Sequence, residues 1–393
     1  MVAQVVLKKG KSAPIEARHP WVFAGSVGRV RGDPRPGSIV EVTDHNGGFL
    51  GQGFYNPRSQ IVVRVCAWGA DAVLDNGFFA TRLAHAAALR ERLGIPAVTT
   101  AYRVAHSEGD GLPGLVVDRY GDYLVVQFAS AGMDQRADQI LDALDTIFSP
   151  TGIIGRPDEF MCELEGIEPR QGVLRGAAPS GELIVTEADC RFAVDLLAGQ
   201  KTGFYCDQRD ARRRVGALAR GARVLDCFSY SGGFAVHAAK GGAQQVVAFE
   251  SAPEALALAG RNRQLNDVSI VILQGEVFWE LQNLVHRGEK FGLVVLDPPK
   301  FVRDRESLQK GLDGYRALNT LGLLLCQPGG LLVTSSCSGL VDQAMFEDVL
   351  VHAAIEANRD LQIVERLGQA ADHPVQPNCP ESRYLTTCIG VAT

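Results

Sequence analysis

Two short stretches carry side chains able to do covalent chemistry, and what each can do depends on the other. The first is LDPPKF, in which Asp297 is followed by Pro298, Pro299, Lys300 and Phe301. Two consecutive prolines continue neither a helix interior nor a strand, so they form a rigid, extended lip. With a carboxylate before it and an aromatic ring after it, such a lip can hold a planar base by edge hydrogen bonds and stacking. Lys300 could reach the backbone of the same substrate, or be solvated surface. The second stretch is LLVTSSCSGL, where Cys337 stands between two serines at the end of an apolar run. A cysteine at a strand end is by default buried filler. One strand after an Asp-Pro-Pro lip, it would instead face the base that the lip holds, and a thiolate there is a nucleophile. Carbon 5 of cytosine or uracil reacts poorly with a methyl donor, and thiolate addition at carbon 6 makes it enamine-like. A base then removes the carbon 5 proton and the cysteine is expelled.

A methyl donor needs its own pocket, and acids closing successive strands outline one. ARVLDCF brings Asp226 to a strand end, and the following CFSYSGGF has Gly232 and Gly233 to make a tight turn into a helix. Ligands of doubly wound sheets sit beyond such carboxyl ends. The turn is not GxGxxG, which disfavours a cofactor bearing a pyrophosphate. QQVVAFE ends in Glu250, suited to ribose hydroxyls, and SIVILQG leads to Glu276, suited to an adenine amino group. Carboxylates repel a dinucleotide's phosphates but tolerate a sulfonium, so the pattern suits S-adenosylmethionine. Lys201 and Arg209 could meet a cofactor carboxylate or an RNA phosphate through charge-assisted bonds, or be solvated surface. The basic run QRDARRR around Arg209 reads by default as a solvated helix face.

These residues need a scaffold, and the apolar pattern supplies one. From about Cys190 onward, ARVLDCF, QQVVAFE, SIVILQG, FGLVVLD and GGLLVTSS alternate with helical stretches, and LQIVERL and RYLTTCIGVA follow. Strands that are apolar throughout and separated by helices predict an α/β fold with a parallel sheet covered on both faces. Up to about Trp68, short Val/Ile runs punctuated by Gly and Pro predict a small β-barrel or sandwich. Between them a helix is predicted from Asn76 to a stop at Gly94 and Pro96. Three strand-like pieces (YRVAHSEGDG, LPGLVVDRYG, DYLVVQFAS) come next, then a stretch, PDEFMCELEGIEPRQGVLRG, with no regular pattern. The expected domains are 1–72, β-rich; 73–189, α/β; and 190–393, the doubly wound sheet.

At 393 residues, with 46% apolar and 21% charged residues, the chain has the bulk of a soluble protein of several domains. Its apolar runs are strand-sized and none follows the basic N-terminus, which predicts a cytoplasmic location without a membrane span. Nine cysteines without CxxC spacing argue against a disulfide framework or a zinc site. The net charge of −6 is mildly unfavourable for general nucleic-acid binding, yet residues 1–68 hold nine Lys or Arg against four Asp or Glu.

Taken together, these stretches resemble a known family, the bacterial class I methyltransferases that form 5-methylcytosine in 23S ribosomal RNA. The resemblance runs through HPWVFAGSV, GFYNPRSQIVVRV, DGLPGLVVDRYGDYLVVQ, GQKTGFYCDQRDAR, LDCFSYSGGF, LDPPKF and SSCS, essentially the whole chain. It implies an N-terminal PUA RNA-binding domain, a central α/β domain and a C-terminal Rossmann-like methyltransferase domain with a seven-stranded sheet. It implies S-adenosylmethionine contacts from Lys201, Thr202, Gly203, Phe204, Asp207 and Arg209, and from Asp226, Phe228, Ser229, Tyr230, Gly232 and Gly233. Glu250, Glu276, Val277 and Asp297 complete that set. It further implies Cys337 as nucleophile and Asp297 on the target base, with Pro298, Pro299, Lys300 and Phe301 beside it. The partner it implies is 23S ribosomal RNA, with no metal and no membrane, and it is compatible with a homodimer. The chain departs from the family pattern at Gly339, where a histidine is common after the cysteine motif, at Glu276, where aspartate is expected, and at Cys206, where an aliphatic residue is usual.

Three rivals stay open on sequence grounds. The same fold could methylate another atom, such as a guanine nitrogen, with no adduct. A nicotinamide dehydrogenase is disfavoured by the missing GxGxxG. A non-catalytic RNA-binding assembly factor would bind RNA and leave no methyl group on it.

Overall fold

The computed structural model of the chain describes residues 2–197, 199 and 201–393. Gln200 of GQKTGFYCDQRDAR therefore lies outside the described residues. The chain divides into two compact units. The first runs through Val185 and takes in Val194–Cys206 and Ala371–Ser382; the second comprises Thr186–Ala193, Asp207–Ala370 and Arg383–Thr393.

The second unit carries the seven expected strands: β1 (Arg223–Cys227), β2 (Gln245–Glu250), β3 (Val271–Gln274), β4 (Phe291–Leu296), β5 (Cys326–Ser336), β6 (Leu361–Leu367) and β7 (Thr386–Ala392). They form one sheet in the order β3-β2-β1-β4-β5-β7-β6. β1 to β5 pair parallel, and β7 runs antiparallel to both β5 and β6. The apolar runs explain the placement: all but one residue of FGLVVL in β4 are buried, as a strand covered on both faces requires. β6, at the edge, instead alternates half-buried and exposed along LQIVERL. Helix Arg209–Leu218 leads into β1, and helices Gly233–Lys240, Pro253–Leu265, Val277–His286, Leu308–Leu325 and Gln343–Glu356 make the crossovers. Leu225, Leu281, Val294, Leu318, Leu332 and Ala353 form the main core between the sheet and these helices. The strand order reverses between β1 and β4, whose ends are in register at Cys227 and Leu296. Such a reversal leaves a crevice beyond the strands' carboxyl ends.

The first unit holds two sheets. Six short strands within residues 3–67 enclose Val5, Leu7, Val22, Val40, Val42 and Val63, which matches the small β-rich module expected there. A five-stranded sheet follows, containing Ala101–His106, Leu115–Tyr120 and Tyr123–Phe128, packed by helices Asn76–Arg92 and Ala137–Phe148. The helix from Asn76 starts where Asp75 caps Phe78 N at 3.1 Å, and Gly94 turns the chain at φ +67° beyond its end. The stretch with no regular pattern contains a helix, Glu159–Glu165, capped by Asp158 on Met161 N. Its single helical turn pair is too short to show a period. Among the described residues no helix is long and apolar enough to cross a membrane.

Candidate active site

In the second unit the expected acids lie at and beyond the carboxyl ends of β1 to β4, where the charges of Asp297 and Glu250 reach Asp226. Asp226, buried near the end of β1, accepts Ala235 N–H at 3.0 Å through Oδ2, while Oδ1 has no hydrogen-bond partner among the described residues. Burial raises its carboxyl well above the usual carboxylate range. The Ala235 N–H opposes that shift, and the charges of Asp297 and Glu250 reinforce it. The turn after it is tightly wound: Phe228, Tyr230 and Gly232 all take left-handed backbone, at φ +62°, +47° and +77°. Two non-glycine residues in that region cost of order 1–3 kcal/mol each, the kind of strain retained at functional sites. Ser229 Oγ is buried there without a partner among the described residues. Gly232 caps the helix that begins at Gly233. A Cβ at Gly233 would come within 2.7 Å of Arg212 Cδ, so this glycine makes room for an arginine.

The acids closing the next two strands do structural work as well. Glu250 accepts Tyr230 N–H at 2.8 Å on one oxygen and Ser251 and Ala252 N–H, at 2.8 and 3.0 Å, on the other. Glu276 is exposed and caps its helix through Phe278 N and Trp279 N, at 3.3 and 2.9 Å, with Val277 buried beside it.

On the other side of the crevice, the two chemically suggestive stretches meet. Cys337 Sγ lies 3.8 Å from the Pro298 carbonyl oxygen, a weak S–H contact. All other eight cysteines are buried; Cys337 is half-exposed. Pro298 is buried, Pro299 and Lys300 are exposed, and the Phe301 ring packs on Tyr315 at 4.7 Å between centroids. Ser338 holds the loop: its Oγ accepts Val302 N–H at 3.2 Å and pairs with Tyr315 OH at 3.0 Å. Two residues here were not singled out from sequence. Gln208 donates to Asp297 Oδ1 at 2.8 Å, and Tyr384 OH donates to Asp207 Oδ2 at 2.7 Å. A Cβ on Gly339 would meet Tyr384 Cβ at 3.7 Å, an ordinary contact. Gln208 lay in plain view inside the quoted GFYCDQRDAR, whereas nothing local marks Tyr384.

The QRDARRR run departs from the solvated face expected of it. Arg209 is 1% exposed, with Nε 3.6 Å from Asp210, and Arg212 is 3% exposed in a fork with Glu187 at 2.7 and 2.5 Å. His237 Nε2 lies 2.9 Å from the same carboxylate. Burial pushes Glu187 up, but the Arg212 charge and hydrogen bonds, with help from His237, bring it to about 2. Of the three consecutive arginines, Arg213 is exposed and Arg214 partly so.

Lys201, Thr202, Gly203 and Phe204 belong to the first unit. Thr202 Oγ1 donates to Asp118 Oδ2 at 2.6 Å and lies 2.8 Å from Tyr120 OH, which also accepts Phe204 N–H at 3.1 Å. Arg103 holds Asp118 in a fork at 2.8 Å on both oxygens. Lys201 Nζ sits 4.0 Å from the centre of the Tyr205 ring, and Gly203 adopts φ +134°.

Two domain families and a set of relatives match this chain. A PUA-like domain model matches residues 5–68, and an S-adenosylmethionine-dependent methyltransferase model matches residues 174–383. The ribosomal RNA large subunit methyltransferase I of Erwinia tasmaniensis is 41% identical over 388 residues, covering 98% of each chain. Its counterparts from Photobacterium profundum and Escherichia coli O139:H28 are 40% identical, again over 98% of each chain. Among solved structures, SMU.776, a putative methyltransferase complexed with SAH, matches all of both chains at a TM-score of 0.87 and 20% identity. A putative SAM-dependent methyltransferase from Streptococcus mutans gives 0.86 at 19%. These two are likenesses of fold.

Proposed function

Since the chain belongs to the ribosomal RNA large subunit methyltransferase I family and is S-adenosylmethionine-dependent, we propose that it methylates carbon 5 of a specific cytosine in 23S ribosomal RNA through a covalent adduct on Cys337. The observation that carries this reading is the 3.8 Å approach of the one half-exposed cysteine to the Asp-Pro-Pro lip. A guanine-nitrogen methyltransferase has no use for a thiol there.

The crevice residues fit the cofactor. Asp226 Oδ1 and Ser229 Oγ are buried without partners among the described residues, beside a strained turn. Asp226, Phe228, Ser229, Tyr230, Gly232, Gly233, Glu250 and Val277 would hold the cofactor, with Asp207, Arg209, Glu276 and Asp297 as further contacts. When bound, S-adenosylmethionine supplies a methyl group made electrophilic by its sulfonium.

The chain's own residues do the rest. The Pro298–Pro299 lip and Phe301 position an extruded cytosine, and Asp297, oriented by Gln208, accepts from its exocyclic amine. The Cys337 thiolate forms a sulfur–carbon bond at carbon 6, and the electrons of the 5,6 double bond become nucleophilic at carbon 5. After carbon 5 gains its methyl group, a base takes the carbon 5 proton. The double bond reforms as the sulfur–carbon bond breaks, and the thiolate returns. Residues 1–72 serve as an RNA-binding module, residues 73–189 as a central α/β domain and residues 190–393 as the catalytic domain.

The test is a transcript of 23S ribosomal RNA carrying 5-fluorocytidine, incubated with the protein and S-adenosylmethionine. Fluorine cannot leave as a proton would, so a denaturant-resistant protein–RNA adduct should accumulate and vanish in Cys337→Ala. No adduct, together with methylguanosine in ordinary transcript, would overturn the reading.

A further inference from the structure

A polar cavity of about 350 Å³ opens within the first unit, lined by Arg18, Arg82, Trp68, Glu108, Gln376 and Asn378 among others. Its residues come from five separate stretches of the chain. The arginines decide its character. Among the described residues, neither Arg18 nor Arg82 has a carboxylate within ion-pair distance or a side-chain hydrogen bond; Arg82 only overlies the Phe78 ring, 5.4 Å from its centre. Glu108 lines the same cavity, and its oxygens are engaged by Arg64 at 3.3 Å, an arginine it shares with Glu165 at 3.1 Å, by Trp21 Nε1–H at 2.8 Å and by the Ser107 hydroxyl. Two guanidiniums thus line a polar space whose one lining carboxylate, Glu108, is engaged by other groups.

The wall around Arg18 is built, not loose. Arg18 has left-handed backbone at φ +62°, and Asn378 Nδ2 donates to its carbonyl oxygen at 2.6 Å. His19 Nε2 lies 3.2 Å from Glu381, joining the same two segments again. Trp68 is half-buried and adds an aromatic surface, and Gln376 and Asn378 bring amides able to hydrogen-bond a base edge. Guanidiniums for a phosphate, a ring for stacking and amides for an edge are together the complement of one nucleotide.

We infer that this cavity holds a nucleotide unit of single-stranded RNA, its phosphate on Arg18 and Arg82, and so anchors substrate away from the reacting cytosine. The inference rests on the RNA-methylating reading, and it concerns a polynucleotide in preference to a free mononucleotide. The surplus of basic over acidic residues in residues 1–68 fits a polyanion.

The experiment titrates the full chain, by fluorescence anisotropy, with a fluorescein-labelled single-stranded RNA of mixed sequence over a salt series. Arg18→Ala and Arg82→Ala should each weaken binding about tenfold, and each should reduce the slope of log affinity against log salt by about 0.7. Arg18→Lys should restore the slope but only part of the affinity, since a lysine keeps the charge and loses the fork. Unchanged melting temperature and unchanged S-adenosylmethionine binding by calorimetry identify folded variants. A folded double variant with wild-type affinity and slope would overturn the proposal. So would arginine-dependent binding of cytidine monophosphate with RNA affinity insensitive to both substitutions, which marks a mononucleotide pocket. Loss of the fluorocytidine adduct with RNA binding intact would count against the catalytic reading and leave this site standing.

Discussion

Gln208 donates its side-chain amide to Asp297 Oδ1 at 2.8 Å, and the same nitrogen lies 3.4 Å from Ser335 Oγ. Ser335 in turn pairs with Thr387 Oγ1 at 2.8 Å. One amide therefore ties together the ends of the strands that carry the Asp-Pro-Pro lip and the cysteine motif. Gln208 Oε1, buried, has no partner among the described residues. The bridge holds one carboxylate oxygen of Asp297.

Gln208→Leu keeps the volume and removes the bridge. A hydrogen bond to a charged group contributes about 1.5–3 kcal/mol, so kcat/KM should fall roughly 10- to 100-fold if Asp297 must be held in place. S-adenosylmethionine affinity, measured by calorimetry, should stay within about twofold. Turnover equal to wild type would reduce Gln208 to scaffolding.

Cys337 differs from the other eight cysteines in being accessible, and in the native protein iodoacetamide should alkylate it first, as read by peptide mass mapping. Burial pushes the thiols of Cys66, Cys190, Cys326 and Cys379 up to about 12, which protects them further. Cys337→Ala should shift stability by less than about 1 kcal/mol, as half-exposed substitutions do, while abolishing the adduct and methyl transfer. Early labelling of a buried cysteine, or retained transfer in the alanine variant, would contradict this.

The Glu187–Arg212–His237 cluster makes a pH prediction. Burial raises the Glu187 carboxyl, but Arg212 and His237 outweigh it and the folded value drops to about 2, below an unfolded value near 4.5. A depressed acid stabilises the fold above its unfolded pKa, and that contribution fades as pH falls from about 4.5 toward 2. Urea melts across that window should show the loss, and Glu187→Gln should remove it. At pH 7, Glu187→Gln should destabilise by about 3–5 kcal/mol because Arg212 is left buried without its counter-charge. A variant with wild-type stability at pH 7 would show that water, not Glu187, compensates Arg212.

How far the residues announced these features depends on range. Asp226, Asp297 and Cys337 could be placed because each ends an apolar run, and a strand end in a doubly wound sheet is a functional address whatever lies beyond it. The same logic located Glu250 and Glu276 but was silent on their caps, which follow from the loop each strand leads into. QRDARRR looked solvated because its partner, Glu187, precedes it by 25 residues and nothing local connects them. The Arg18–Asn378 contact spans 360 residues, so no window of sequence could suggest that cavity. Long-range pairing of polar groups leaves no period in a chain, whereas burial of strands does.

Asp226 makes a prediction in which stability and cofactor affinity can be read separately. Its carboxyl is raised by burial, and by Asp297 and Glu250, despite the Ala235 N–H. For a raised acid the sign is opposite to that of Glu187: ionisation is easier in the unfolded chain, so stability falls as pH climbs above the unfolded value near 3.9 and levels off only beyond the folded one. Asp226→Asn keeps the shape, can still accept Ala235 N–H, and removes the ionisation. The ligand-free protein should therefore gain about 1 kcal/mol at pH 7.5, seen as a rise of about 2–4 °C in melting temperature. If Asp226 contacts S-adenosylmethionine, calorimetry should show its affinity reduced by roughly tenfold in the same variant, because an amide replaces an acceptor that burial had left half-satisfied. A variant both less stable and equally tight for the cofactor would mean that Asp226 is a helix-holding residue and that the cofactor is held by its neighbours in the turn.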